Sequence, residues 1–148
     1  MKKIEIKKYT NVLVALDLSS ESYLPLERAI MIKEYFKANL SVIHVVNLPS
    51  PYISHAFISN IQEIMYEEGK RNLSNLCEQY QIPPEDQHVS IGSPMLNIIE
   101  YAKKSNINLI IVGSHSDYHL LPASLGSTAT SLLSKINCDL LTVSIHPN

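Results

Sequence analysis

The sequence predicts an α/β fold, a doubly wound, five-stranded parallel sheet with helices on both faces. Two observations carry this expectation. Runs of Val, Ile and Leu recur along the chain, and most are too continuous for strands with one face in water. Between them lie stretches whose apolar residues repeat at helical spacing. The links are short, and parallel strands joined through helices cross over right-handed. The length agrees, since 148 residues suit a single domain, 1–148, with a sizeable core.

The first strand is Val12-Leu13-Val14-Ala15-Leu16. A helix marked by Leu26, Ala29, Ile30 and Phe36 follows, with Ser19, Ser20 and Ser22 as cap candidates and Pro25 in its first turn. Leu40 to Val46 is the second strand, and Asn47 to Phe57, with Pro49 and Pro51, reads as a surface loop. Ile61, Ile64, Met65, Leu73, Leu76 and Tyr80 mark a long second helix, stopped by Pro83-Pro84. Gly69 lies on its apolar face, where close packing on a strand is the expected reason. Gln87 to Ile91 is a weaker third strand. After Gly92-Ser93, a third helix carries Pro94, Ile98, Ile99 and Ala102. Leu109 to Val112 is the fourth strand, Ala129, Leu132, Leu133 and Ile136 mark a fourth helix, and Leu140 to Ile145 is the fifth strand. The expected strand order is 3-2-1-4-5, a Rossmann-like arrangement, with Asp17 and Gly113 on one rim. Ligands of such sheets bind at the carboxyl ends of the strands, where the order reverses.

Composition excludes several classes. A hydrophobic content of 45% with 18% charged residues is that of an ordinary globular protein. A net charge of −2 gives no electrostatic basis for nucleic-acid binding. Cys77 and Cys138 lie far apart with no CxxC, which reads as two free thiols in a reducing compartment. The basic start Met1 to Lys8 resembles a signal n-region, but the apolar stretch Val12 to Leu18 is short and carries Asp17. No run reaches the roughly 20 apolar residues of a membrane span. The expectation is a cytoplasmic protein without membrane contact.

Two of the four glycines stand where an anion could bind. Gly113 ends the fourth strand and Gly126 opens Gly126-Ser127-Thr128 at a helix start. Glycine admits close approach of a backbone N–H, and a helix N-terminus offers free N–H groups and a positive dipole end. The same Gly126-Ser127-Thr128 would also serve as a plain helix cap. Asp17 fits the role of a cap acceptor at the strand end. His115 and His119 are four apart but lack a third metal ligand, so no metal site is expected. Ser114, His115 and Asp117 are sequence neighbours, whereas triad members meet from separate elements. His44, within a buried strand, reads as a core histidine with a satisfied hydrogen bond. Neither GxGxxG nor GxxxxGK[ST] occurs, and no nucleophile with its base is evident.

At these residues the chain resembles the universal stress protein family. Val14-Ala15-Leu16-Asp17 with its Ser-rich turn, Ile43-His44-Val45 and Gly92-Ser93-Pro94 look like family landmarks. The family signature is Gly, two residues, Gly, nine residues, Gly, then Ser or Thr. Here it reads Gly113-Ser114-His115-Ser116, nine residues from Asp117 to Leu125, then Gly126-Ser127. The resemblance implies a dimeric stress-response binding module whose pocket takes ATP or another adenine nucleotide. It assigns that pocket to Asp17, Val45, Gly113, Ser116, Gly126, Ser127 and Thr128, with Asp17 as a ribose ligand, a role that stands level with the cap acceptor. Ser116 departs from the signature glycine, and Asp117 stands where nucleotide-binding members often carry a basic residue. Both changes oppose polyphosphate, so the expected ATP binding is weak or absent. Ser116-Asp117-Tyr118 looks like a branch not known for ATP binding, whereas Gly126-Ser127-Thr128 looks like the ATP-binding branch. Two rivals stand beside this reading: a dimer that serves an unknown protein partner without nucleotide, and a slow ATPase, for which no water-positioning residue is evident. The fifth strand, Asp139 to Ile145, is expected at an edge, where its few charges leave it open to pair with a second copy.

Overall fold

The computed structural model of the chain describes residues 4, 6, 8–47, 55–114 and 135–144. Its strands are β1 (Asn11–Ala15), β2 (Asn39–Val46), β3 (Gln87–Ile91), β4 (Leu109–Gly113) and β5 (Asp139–Val143). They form one sheet in the order β3-β2-β1-β4-β5, and every pairing is parallel. The strand order expected from the sequence is the observed one. Three helices connect the strands: α1 (Tyr23–Phe36), α2 (His55–Gln79) and α3 (Pro94–Lys104).

The two faces of the sheet explain why the strand sequences lack alternation. Val12, Val14, Leu109 and Ile111 point to one face, where Leu26 and Ala29 of α1 and Leu73 and Cys77 of α2 pack. Leu13, Ala15, Ile110 and Val112 point to the other, against Ile98, Ile99 and Ala102 of α3. Strands β1 and β4 sit inside the sheet, are covered on both sides, and read as unbroken apolar runs. Strand β3 lies at an edge and all five of its residues are partly exposed, which accounts for its weaker signal.

Helix boundaries bring two corrections. Helix α2 begins at His55, inside the loop expected over residues 47–57. The prolines that suggested a loop end at Pro51, and nothing from His55 to Phe57 opposes a helix. The same helix ends at Gln79, before Pro83-Pro84. Its stop is made by the backbone: Gln81 takes the left-handed conformation (φ 58°) and the Ile82 N–H donates to the Cys77 carbonyl at 3.0 Å. Helix α1 stops the same way at Lys37 (φ 54°), where the Ala38 N–H reaches the Lys33 carbonyl at 3.0 Å. Of the expected fourth helix, Ala129, Leu132 and Leu133 lie outside the described residues, while Ile136 packs against the core on the α3 face. No helix among the described residues is long and apolar enough to cross a membrane.

Both cysteines are free, and burial pushes each thiol up to about 11. At neutral pH they are protonated and poor nucleophiles.

Candidate functional site

The carboxyl ends of β1, β2 and β4 meet where the strand order reverses. Past β1 the chain turns sharply at Leu18, whose φ of 60° is unusual for a bulky residue. The turn folds Asp17 back toward the start of α1. Its Oδ1 accepts hydrogen bonds from the Ser19 N–H and from the Ser22 hydroxyl, both at 3.0 Å. Ser22 occupies the N-cap position of α1, yet its side chain makes no cap bond to the helix. Its hydroxyl serves Asp17 instead, and the residue is buried, with 4% exposed. Of the two roles the sequence left open for Asp17, the acceptor role at the strand end is therefore formed.

Asp17 and Val45 line one cleft of about 340 Å³, together with Leu18, His44 and, from α2, Met65, Glu68, Gly69 and Asn72. Asp17 and Gly113 line a second, far smaller hollow of about 10 Å³ with Glu21, Ser22 and Pro25. That volume holds about one water. Asp17 and Gly113 thus share a rim, as expected. Ser116, Gly126, Ser127 and Thr128 lie outside the described residues, as do His115, Asp117 and His119.

The α2 wall was missed by sequence reasoning. Met65, Glu68, Gly69 and Asn72 follow i, i+3, i+4, i+7 spacing and so share one helix face. Polar residues on that stripe were the available signal. Gly69 packs where the sequence placed it, close to a strand: an added Cβ would stand 3.2 Å from His44 Cδ2 and 3.2 Å from Val46 Cγ2.

His44 makes the hydrogen bond the sequence predicts, its Nδ1 donating to the Leu16 carbonyl at 2.8 Å, but it is half-buried and lines the cleft instead of the core. Burial pushes its pKa below the usual histidine value, with the Leu16 carbonyl and the Asp17 charge partly opposing. His88, whose Nε2 lies 2.7 Å from the Tyr101 hydroxyl, is lowered in the same way, chiefly by burial and against Asp86. The unfolded chain takes up these protons near pH 6.5, while the folded rings still resist them. Stability from both rings is therefore complete above about pH 6.5 and falls as pH drops through the folded values. Calorimetry should show a lower Tm at pH 5.5 than at pH 7.5. His44→Gln, which keeps a donor for Leu16, should flatten part of that slope; an equally steep slope in the variant would remove His44 from the account.

A sequence profile described as the universal stress protein family matches residues 8–144. Universal stress protein A homolog 1 of Coxiella burnetii is 35% identical over 139 residues, covering 91% of this chain and 96% of that protein. Universal stress protein A of Yersinia pestis is 29% identical over 141 residues, covering 93% of each chain. Among solved structures, universal stress protein UspA from Lactobacillus plantarum superposes with a TM-score of 0.73 at 23% identity, covering 93% of this chain and 99% of that one. A universal stress protein in complex with cAMP superposes with a TM-score of 0.58 at 18% identity, covering 95% of this chain and 100% of the other. Together with the observed strand order and the rim shared by Asp17 and Gly113, the profile match establishes that this chain belongs to the universal stress protein family.

Proposed function

We propose that the protein is a cytoplasmic, dimeric stress-response module whose carboxyl-rim cleft binds an adenine nucleotide weakly. One observation carries the ligand half of this reading: Asp17, just past β1, and Val45, near the end of β2, line one cleft at the reversal of strand order. Its volume suits a small organic ligand. The cAMP-bound neighbour gives adenine chemistry its weight. Weak phosphate affinity is supported by the chain's own sequence. Ser116 puts a Cβ where the signature has glycine, and Asp117 adds a carboxylate. No nucleophile with its base lines the cleft among the described residues, so binding rather than catalysis is the reading. The dimer half rests on β5, which lies at the sheet edge.

Mass spectrometry of gently purified protein tests the ligand directly. Calorimetry with ATP should give weak binding to the wild type. The double change Ser116→Gly with Asp117→Arg should tighten it by about tenfold or more, since it removes a Cβ and reverses a charge. Tight wild-type binding that the double change weakens would contradict the reading.

A further inference from the structure

The positive side chains of this chain are unevenly placed along the sequence, with Arg28, Lys33, Lys70 and Arg71 inside helices. The segments Tyr9–Glu27, Ala38–Gly69, Asn72–Ala102 and Ser105–Ser134 contain neither Lys nor Arg. Every connection leaving the carboxyl end of a strand therefore leaves without a cation. Lys8, Lys37, Lys103, Lys104 and Lys135 instead precede strands, at the opposite rim. Helix dipoles account for Lys37, Lys103 and Lys104, which lie at the C-termini of α1 and α3. They do not explain why the other rim has no counter-charge for phosphate. The segment 114–134, wherever its side chains lie, can bring no Lys or Arg to the cleft.

The described walls are acidic. Asp17 and Glu68 line the cleft, and burial keeps His44 in the neutral form. Lys70 and Arg71 lie near the cleft in sequence but do not line it, and Lys70 is turned to Glu67, at 3.9 Å, and to the Tyr66 ring. The N-terminus of α1 already carries the carboxylate of Asp17. The hollow between Gly113 and α1 is lined by Asp17 and Glu21.

Resting on the reading of the cleft as an adenine site, we infer that it selects adenosine-type ligands by low charge. The nucleoside binds best, a singly charged nucleotide such as cAMP follows, and the triphosphate is rejected. Glu68 is the specificity residue: it is exposed on α2, faces the cleft and carries charge without closing the core.

Titration calorimetry at pH 8, where histidines are neutral, with adenosine, cAMP, AMP and ATP, each with and without Mg²⁺, tests the inference. Adenosine should bind at least about tenfold tighter than ATP at low salt, and the gap should narrow as salt screens the cleft. Glu68→Lys should raise the ratio of ATP to adenosine affinity by about fivefold or more. ATP binding as tightly as adenosine, with or without Mg²⁺, overturns the inference and leaves the adenine site standing. An unchanged ratio in Glu68→Lys removes Glu68 as the selector. No binding across the whole series overturns both the site and the inference.

Discussion

Replacing Asp17 by alanine should lower the stability of the ligand-free protein by roughly 1–3 kcal/mol, the range for stranding hydrogen-bonding groups that are buried. The Ser19 N–H and the buried Ser22 hydroxyl both lose their acceptor. Neither has an easy replacement, because Ser22 makes no cap bond of its own. Asp17→Asn keeps a carbonyl oxygen at the Oδ1 position and should cost well under half as much. Thermal unfolding of the two variants without ligand separates the roles of this residue. If Asp17 served only a ligand, both variants would melt with the wild type. The asparagine variant carries a second consequence. It removes a charge from the cleft while keeping an acceptor, so ATP should gain on adenosine as it does in Glu68→Lys. A melting temperature for Asp17→Ala equal to that of the wild type would show that these two hydrogen bonds contribute nothing to the fold.

Most of the fold was legible because central parallel strands announce themselves. Val12 to Leu16 and Leu109 to Val112 are buried on both faces, so no alternation blurs them. The helix ends were harder to read because the chain uses few glycines. Gln81 and Lys37 take left-handed cap positions that a sequence reader looks for in Gly or Asn. The prolines at 83 and 84 drew the boundary of α2 too late for that reason. The rim was legible along the strands, where Asp17 follows one apolar run, Gly113 ends another, and the two line one hollow. The cleft was not legible across the helix. Glu68 and Asn72 belong to the cleft only because Gly69 lets α2 settle onto His44 and Val46, and that approach is a tertiary fact. The double reading of Asp17 could not be resolved from sequence, since capping and ribose binding require the same carboxylate at the same strand end.

In sedimentation at tens of micromolar the protein should run as a homodimer, and Thr142→Pro should make it a monomer that keeps its fold. Strand β5 pairs only with β4 among the described residues, and its other edge is where a second copy is expected. The Val143 carbonyl accepts from the Ser114 N–H at 2.8 Å, and the Asp139 N–H donates to the Asn108 carbonyl at 3.2 Å. Residues 139 and 143 therefore present their backbone groups to β4. Successive residues of a strand alternate in this respect, so the backbone groups of Leu140 and Thr142 point outward. Proline at Thr142 removes an outward donor and is tolerated at an edge, while proline at Val143 would break the ladder to β4 and disturb a buried side chain. The two variants thus separate assembly from folding. Thr142→Pro should lose the dimer with little change in circular dichroism, and Val143→Pro should lose both dimer and fold. Thr142 is exposed in the single chain, and β5 carries one charged residue, Asp139, which the Tyr9 hydroxyl holds at 2.8 Å. Nothing on the strand therefore repels a symmetric copy, and a two-fold pairing closes the assembly. A wild type that sediments as a monomer, or a Thr142→Pro variant that remains a dimer, would place the contact elsewhere or abolish it.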